Sequence, residues 1–132
     1  MTRILQISSP REVRQIMQGI RVDDYGIKIM LPKAITYLIR INSLSSIAAN
    51  ILKQEMLSIG ADAAVSRNTL TGKAKETDCL LMANLSQLNR LIEKLKKQPF
   101  GLDRLARDIS SSLANYQKDE FILDLGRYKL TF

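Results

Sequence analysis

Apolar residues recur along this chain with two different periods, and the switches between them mark out its elements. Arg3 to Ile7 (RILQI) is a short apolar run that reads as a strand. It passes into SSPREV, where Ser9 suits a helix N-cap, Pro10 the first helical position and Glu12 the far side of a capping box. Val13, Ile16, Met17 and Ile20 follow at helical spacing and predict one buried stripe. VDDYG reads as a turn, and Ile27 to Leu31 (IKIML) predicts a second strand closed by Pro32. In KAITYLIRI, Tyr37, Ile39 and Ile41 alternate as in a strand, although Ala34, Ile35, Leu38 and Ile39 also suit a helical turn. The alternation favours a strand from about Thr36 to Ile41.

The next helix has Ser43 or Ser45 as its cap, an apolar stripe of Leu44, Ile47, Ala48, Ile51, Leu52, Met56 and Ile59, and Gly60 at the C-terminal cap. DAAVS predicts a short strand. Arg67 to Thr77 (RNTLTGKAKET) is a long polar connection, and the DCLLMA that follows is apolar on both faces, as a central strand is. Asn84 and Gln87 can form a capping box ahead of the stripe Leu85, Leu88, Leu91, Ile92 and Leu95, which Pro99 and Gly101 end. Leu102, Leu105, Ala106, Ile109 and Leu113 mark a last helix reaching about Tyr116. The final FILDLGRYKLTF alternates again, and Gly126-Arg127 fits a two-residue hairpin loop that would set Leu125 against Tyr128 and Leu123 against Leu130.

From Thr36 to Gln98 the order is strand, helix, strand, strand, helix. That order predicts an α/β (α+β) two-layer sandwich, its sheet mixed but largely antiparallel, around a ferredoxin-like split βαβ core. The fourth strand of such a sheet is expected from RILQI or IKIML. The expected organisation is one α/β domain over 1–118 and a β segment over 119–132.

Composition narrows the chemistry. The 132 residues include no His and one Cys, Cys79, which removes zinc and Fe–S sites and any Ser–His or Cys–His catalytic pair. No apolar run approaches the length of a membrane span and no signal pattern opens the chain, so a cytoplasmic protein is expected. The net charge of +7 suits a polyanion or an acidic partner. Arg67, Lys73 and Lys75, around Gly72, are the best anion-contact candidates, but TGKAKET lacks the spacing of a phosphate-binding loop. Three lysines in EKLKKQ complement a helix C-terminus. Asp23–Asp24 and Asp119–Glu120 lie in connections without further carboxylates at a metal-binding spacing. The four tyrosines are dispersed and form no base-stacking set. No catalytic, cofactor-binding or metal-ligating residue emerges from these patterns.

The blocks AANILKQEMLSIGADAAVSR (48–67) and DCLLMANLSQLNRLIEKLKKQPFGL (78–102) resemble the N-terminal extension that precedes the catalytic barrel in a subset of prokaryotic dihydropteroate synthases. The resemblance implies a parent enzyme that joins 6-hydroxymethyl-7,8-dihydropterin pyrophosphate to 4-aminobenzoate with the help of Mg²⁺. That family binds substrate at the C-terminal ends of the strands of a (β/α)8 barrel, as expected for the fold. Its hallmark run Asn-Val-Thr-Pro-Asp-Ser-Phe is absent here, so no TIM barrel and no catalytic residue is expected in this chain. The implied role is an inactive accessory domain whose partner is the barrel of the same polypeptide, with a homo-oligomer as a further option and neither membrane nor nucleic acid favoured. GRYKLTF then resembles the opening arm of a hairpin leading into the first barrel strand. The competing reading is a small basic RNA- or ribosome-associated module.

Overall fold

The computed structural model describes residues 1–7 and 9–130. The chain divides into two compact units, Met1–Leu91 and a second from Ile92 onward.

In the first unit, α1 (Pro10–Gly19) begins where the capping signals place it. Pro10 opens the helix and the Ser9 hydroxyl accepts the Glu12 N–H at 3.4 Å. The predicted buried stripe is shallower than its spacing implies: Val13, Ile16 and Met17 are half-buried and Ile20 is exposed. Two expected strands are absent. Met1–Ile7 carries no regular structure, because among the described residues no strand lies beside RILQI to complete a ladder. IKIML is helical instead, in α2 (Asp24–Met30) and a single 3-10 turn, Leu31–Lys33. The reason is local: Asp23 caps α2 by accepting the Gly26 N–H at 3.2 Å. With Asp24 in the first turn and Lys28 in the last, the charges also complement the helix dipole. Helical spacing buries Ile27 and leaves Ile29 out, where a strand would have placed both on one face.

The expected strand at Thr36 is present and runs further, as β1 (Thr36–Ser45). Ser45 then caps α3 (Ser46–Ser58), its hydroxyl accepting the Ala48 N–H at 3.2 Å. Ala48, Ala49, Leu52 and Met56 are its buried face, joined by Ile59 beyond the helix, whereas Ile47 is exposed. Gly60 ends the turn with φ +78°, in the left-handed region that glycine occupies at little cost. β2 (Asp62–Val65), the short α4 (Arg67–Leu70), β3 (Glu76–Asn84) and α5 (Leu85–Leu95) follow. The sheet has three strands in the order β1-β3-β2, both pairings antiparallel. β3 is central, as its two-sided apolarity predicts. β1 and β2 therefore run parallel on either side of it, joined by α3, which is the split βαβ arrangement of an α+β sandwich. The sheet is wholly antiparallel among the described residues rather than mixed, and no fourth strand is present among them.

Cys79, Leu81 and Ala83 of β3 and Ala63 of β2 are buried on the inner sheet face, and α3 packs against all three strands. Leu52, Met56, Leu81, Leu88 and Leu91 have no exposed surface. At roughly 1.5–3 kcal/mol for each large apolar side chain removed from water, this cluster is the main favourable term in the unit.

In the second unit the end of α5 passes through a turn at Phe100–Gly101, both with positive φ, into α6 (Leu102–Leu130). Ile92, Leu95, Leu102, Ala106, Ile109 and Leu113 are buried, matching the predicted stripe except for half-buried Leu105. The helix does not stop near Tyr116. It continues through Phe121–Leu130, where a β segment and hairpin were expected, and Thr131 and Phe132 lie outside the described residues. Phe121, Leu125 and Tyr128 fit spacings of four and three as well as they fit alternation. Extending an existing helix needs no new nucleus, whereas an isolated hairpin is marginal.

Candidate functional site

The three cations singled out in the sequence are all exposed around α4, Arg67 opening the helix and Lys73 and Lys75 following Gly72. Gly72 turns the chain with φ +74°. The loop is closed by its own polar groups. The Asn68 carbonyl accepts the N–H groups of both Lys73 and Ala74, at 3.0 and 3.2 Å. Ser66 caps α4 through the Asn68 N–H, and the Ser66 N–H donates to the Thr77 hydroxyl at 3.0 Å. The Lys75 carbonyl accepts from the Ser46 N–H at 2.9 Å. An anion cradle needs backbone N–H groups converging on open space. Here those of Asn68, Lys73 and Ala74 are already spent, so the loop offers cationic side chains without a cradle. Thr69 lies beneath it with a buried hydroxyl that has no hydrogen-bond partner among the described residues.

Asp23 is the α2 cap, and Asp119 and Glu120 fall in α6 rather than in a connection. Cys79 faces the core on β3, where burial pushes its thiol up to about 11, slightly opposed by the charge of Lys53. It is therefore a neutral thiol near pH 7, the form that is neither nucleophile nor metal ligand. Among the described residues no group of three His, Cys, Asp or Glu side chains could hold a metal ion, and no helix is long and apolar enough to cross a membrane.

The surface that sequence reasoning did not single out is the outer face of the sheet. Directly opposed residues in an antiparallel ladder share a face. Leu38 stands opposite Met82, Arg40 opposite Leu80, and Ala64 opposite Leu80 from the other side. Leu38, Met82, Leu80 and Ala64 thus form one apolar strip across all three strands. Leu38 is 66% exposed, Ala64 is exposed, and Leu80 and Met82 are half-buried. Ion pairs lie at its rim: Arg40 with Asp78 at 2.8 Å and Lys53 with Asp62 at 3.3 Å. The Asp62 carboxyl is held below its usual range by the Ala63 N–H and then by Lys53. An apolar centre with a polar rim is the layout of a protein-binding face. Its signal was present in the sequence as Leu38, an apolar residue out of phase with Tyr37, Ile39 and Ile41.

No protein-family model and no solved structure matches the chain. Two curated proteins do. A bifunctional dihydropteroate synthase/dihydropteroate reductase of Helicobacter pylori is 34% identical over 110 residues, covering 83% of this chain and 29% of that protein. A probable bifunctional folylpolyglutamate synthase/dihydropteroate synthase of Halobacterium salinarum is 30% identical over 107 residues, covering 81% of this chain and 13% of that protein. The chain thus spans less than a third of the length of either relative. The resemblance carried by residues 48–67 and 78–102 meets these relatives, and the chain is homologous to one part of bifunctional dihydropteroate synthase proteins.

Proposed function

We propose that this chain is a non-catalytic accessory domain of a dihydropteroate synthase protein, acting in folate synthesis by docking against the catalytic (β/α)8 barrel of the same polypeptide. The observation that carries this reading is coverage: most of this chain aligns with a minor fraction of two larger bifunctional synthases. The chemistry agrees with it. The chain has no His, its one Cys is a buried neutral thiol, and among the described acidic residues Asp23 caps a helix while Asp62, Asp78 and Glu93 pair with cations. Condensation of dihydropterin pyrophosphate with 4-aminobenzoate, and the Mg²⁺ it uses, belong on this reading to the barrel, in the cytoplasm. α6 runs unbroken across 118/119, so the expected division there is replaced by one continuous helix as far as Leu130.

The outer sheet face supplies the docking surface, with Leu80 and Met82 at its centre. Calorimetric titration of this chain with the dihydropteroate synthase barrel encoded by the same genome tests the reading. Binding is expected, with Met82→Lys abolishing it and leaving the chain folded. The chain alone should give no dihydropteroate from the two substrates. Turnover by the chain alone, or binding untouched by Met82→Lys, would overturn the proposal.

A further inference from the structure

We propose that the outer edge of β1 pairs with the same edge of a second copy of this chain, antiparallel and centred on Leu38, so that two three-stranded sheets join into one. The two edges of the sheet differ. β2 is four residues long, and its first residue, Asp62, is held by Lys53, so that edge is short and charged. β1 is ten residues long, and no strand lies beyond it among the described residues. It carries no proline and one charge, Arg40, already paired with Asp78 on the outer face. Long flat edges without proline or inward charge are templates for another strand.

Where the flat part ends is also visible. The register with β3 shifts between Ile41 and Leu44, and Ser43 takes φ 57° there. A bulge of this kind twists the edge away, leaving Thr36 to Ile41 open to a partner.

That stretch is complementary to itself in one register. Antiparallel pairing about a two-fold axis keeps each side chain on its own face only when the axis passes through a residue, since a one-residue slip exchanges the faces. Centred on Leu38, the exposed leucines of the two copies meet on the outer face, and Tyr37 opposes Ile39 on the inner face. Arg40 opposes Thr36, so a chain of net charge +7 brings no like charges together along the seam. Centring on Ile39 would set Leu38 against Arg40, and centring on Arg40 would set the guanidinium groups against each other. The apolar strip of each sheet becomes continuous through the Leu38 pair, while Leu80 and Met82 remain free for the docking proposed above.

Sedimentation equilibrium of the full chain, with circular dichroism to confirm folding, reads this directly. A monomer–dimer equilibrium is expected, with amide protection in β1 that rises with protein concentration. Thr36→Asp places a carboxylate opposite Arg40 twice in the dimer and should tighten it several-fold, whereas Thr36→Arg places like charges there and should weaken it several-fold. A chain that stays monomeric to roughly millimolar concentration, far above the Kd of a specific dimer, overturns the proposal. So does a pair of Thr36 variants that shift the equilibrium in the same direction or not at all.

Discussion

Asp78 accepts the backbone N–H of Ser43 at 3.0 Å, fastening the middle strand to the bulge in its neighbour. Its other oxygen takes the Arg40 guanidinium at 2.8 Å. The Ser43 N–H is the chief cause, with Arg40 adding to it, of an Asp78 carboxyl held below the usual aspartate range. A lowered folded pKa means the ionised form stabilises the fold. That contribution is intact above the unfolded aspartate pKa near ~3.9 and falls away as pH drops through the lowered folded value. Asp78→Ala should therefore melt below the wild type at neutral pH, with the gap closing in acid. Asp78→Asn, which keeps an acceptor for Ser43 but loses the charge, should lie between them. Thermal melts from pH 7 to 2 check the order; a gap independent of pH would show that the carboxylate is not its source.

Cys79 gives a chemical reading of core opening. Its side chain is buried on β3 and its thiol is pushed up to about 11. At pH 8 a disulfide reagent should modify the native chain slowly and at a rate set by opening of the sheet, because attack needs an exposed thiolate. In denaturing urea one thiol per chain should react at once. Fast labelling of the native protein would contradict the burial.

Thr69 is a place where the fold carries a cost. Its hydroxyl is buried with no hydrogen-bond partner among the described residues. Thr69→Val keeps the branched shape and removes the polar atom, so it should be neutral or stabilising, up to about 1 kcal/mol. Urea denaturation of the two proteins measures the difference. A clear loss in Thr69→Val would mean that the hydroxyl does find a partner.

The parts of the fold that were legible from sequence are those in which local chemistry and burial agree. Ser9, Ser45 and Asn84 cap helices because their side chains reach N–H groups within one turn, a relation that needs no tertiary information. β3 was identifiable as central because only a strand covered on both edges and one face sustains DCLLMA. The misreadings are segments whose state depends on a neighbour. RILQI and IKIML have strand-like composition, but a strand exists only if another lies beside it, and the Asp23 cap was enough to make IKIML a helix. FILDLGRYKL satisfies two periods at once, and continuation of α6 decided between them. For the candidate site, the basic residues Arg67, Lys73 and Lys75 were visible, but not that their loop consumes its own N–H groups. The outer face needed the register, because Leu38, Leu80, Met82 and Ala64 come from three separate strands.

The capping box of α5 does more than begin a helix. The Gln87 N–H donates to Asn84 Oδ1 at 2.8 Å, the Asn84 N–H donates to Gln87 Oε1 at 3.0 Å, and Gln87 Nε2 reaches the Ile59 carbonyl at 3.4 Å. Gln87 therefore joins the start of α5 to the end of α3, beside the left-handed Gly60. Asn84→Ala removes the cap and should cost about 1 kcal/mol. Gln87→Ala leaves both the Asn84 N–H and the Ile59 carbonyl without this partner, so its cost should be at least as large. Because the two side chains share one reciprocal pair, the double variant should lose less than the sum, with a coupling on the order of 0.5–1 kcal/mol. Urea denaturation of the four proteins closes this cycle. Strict additivity would mean that each side chain acts alone and that the box, as a unit, does not hold α3 to α5.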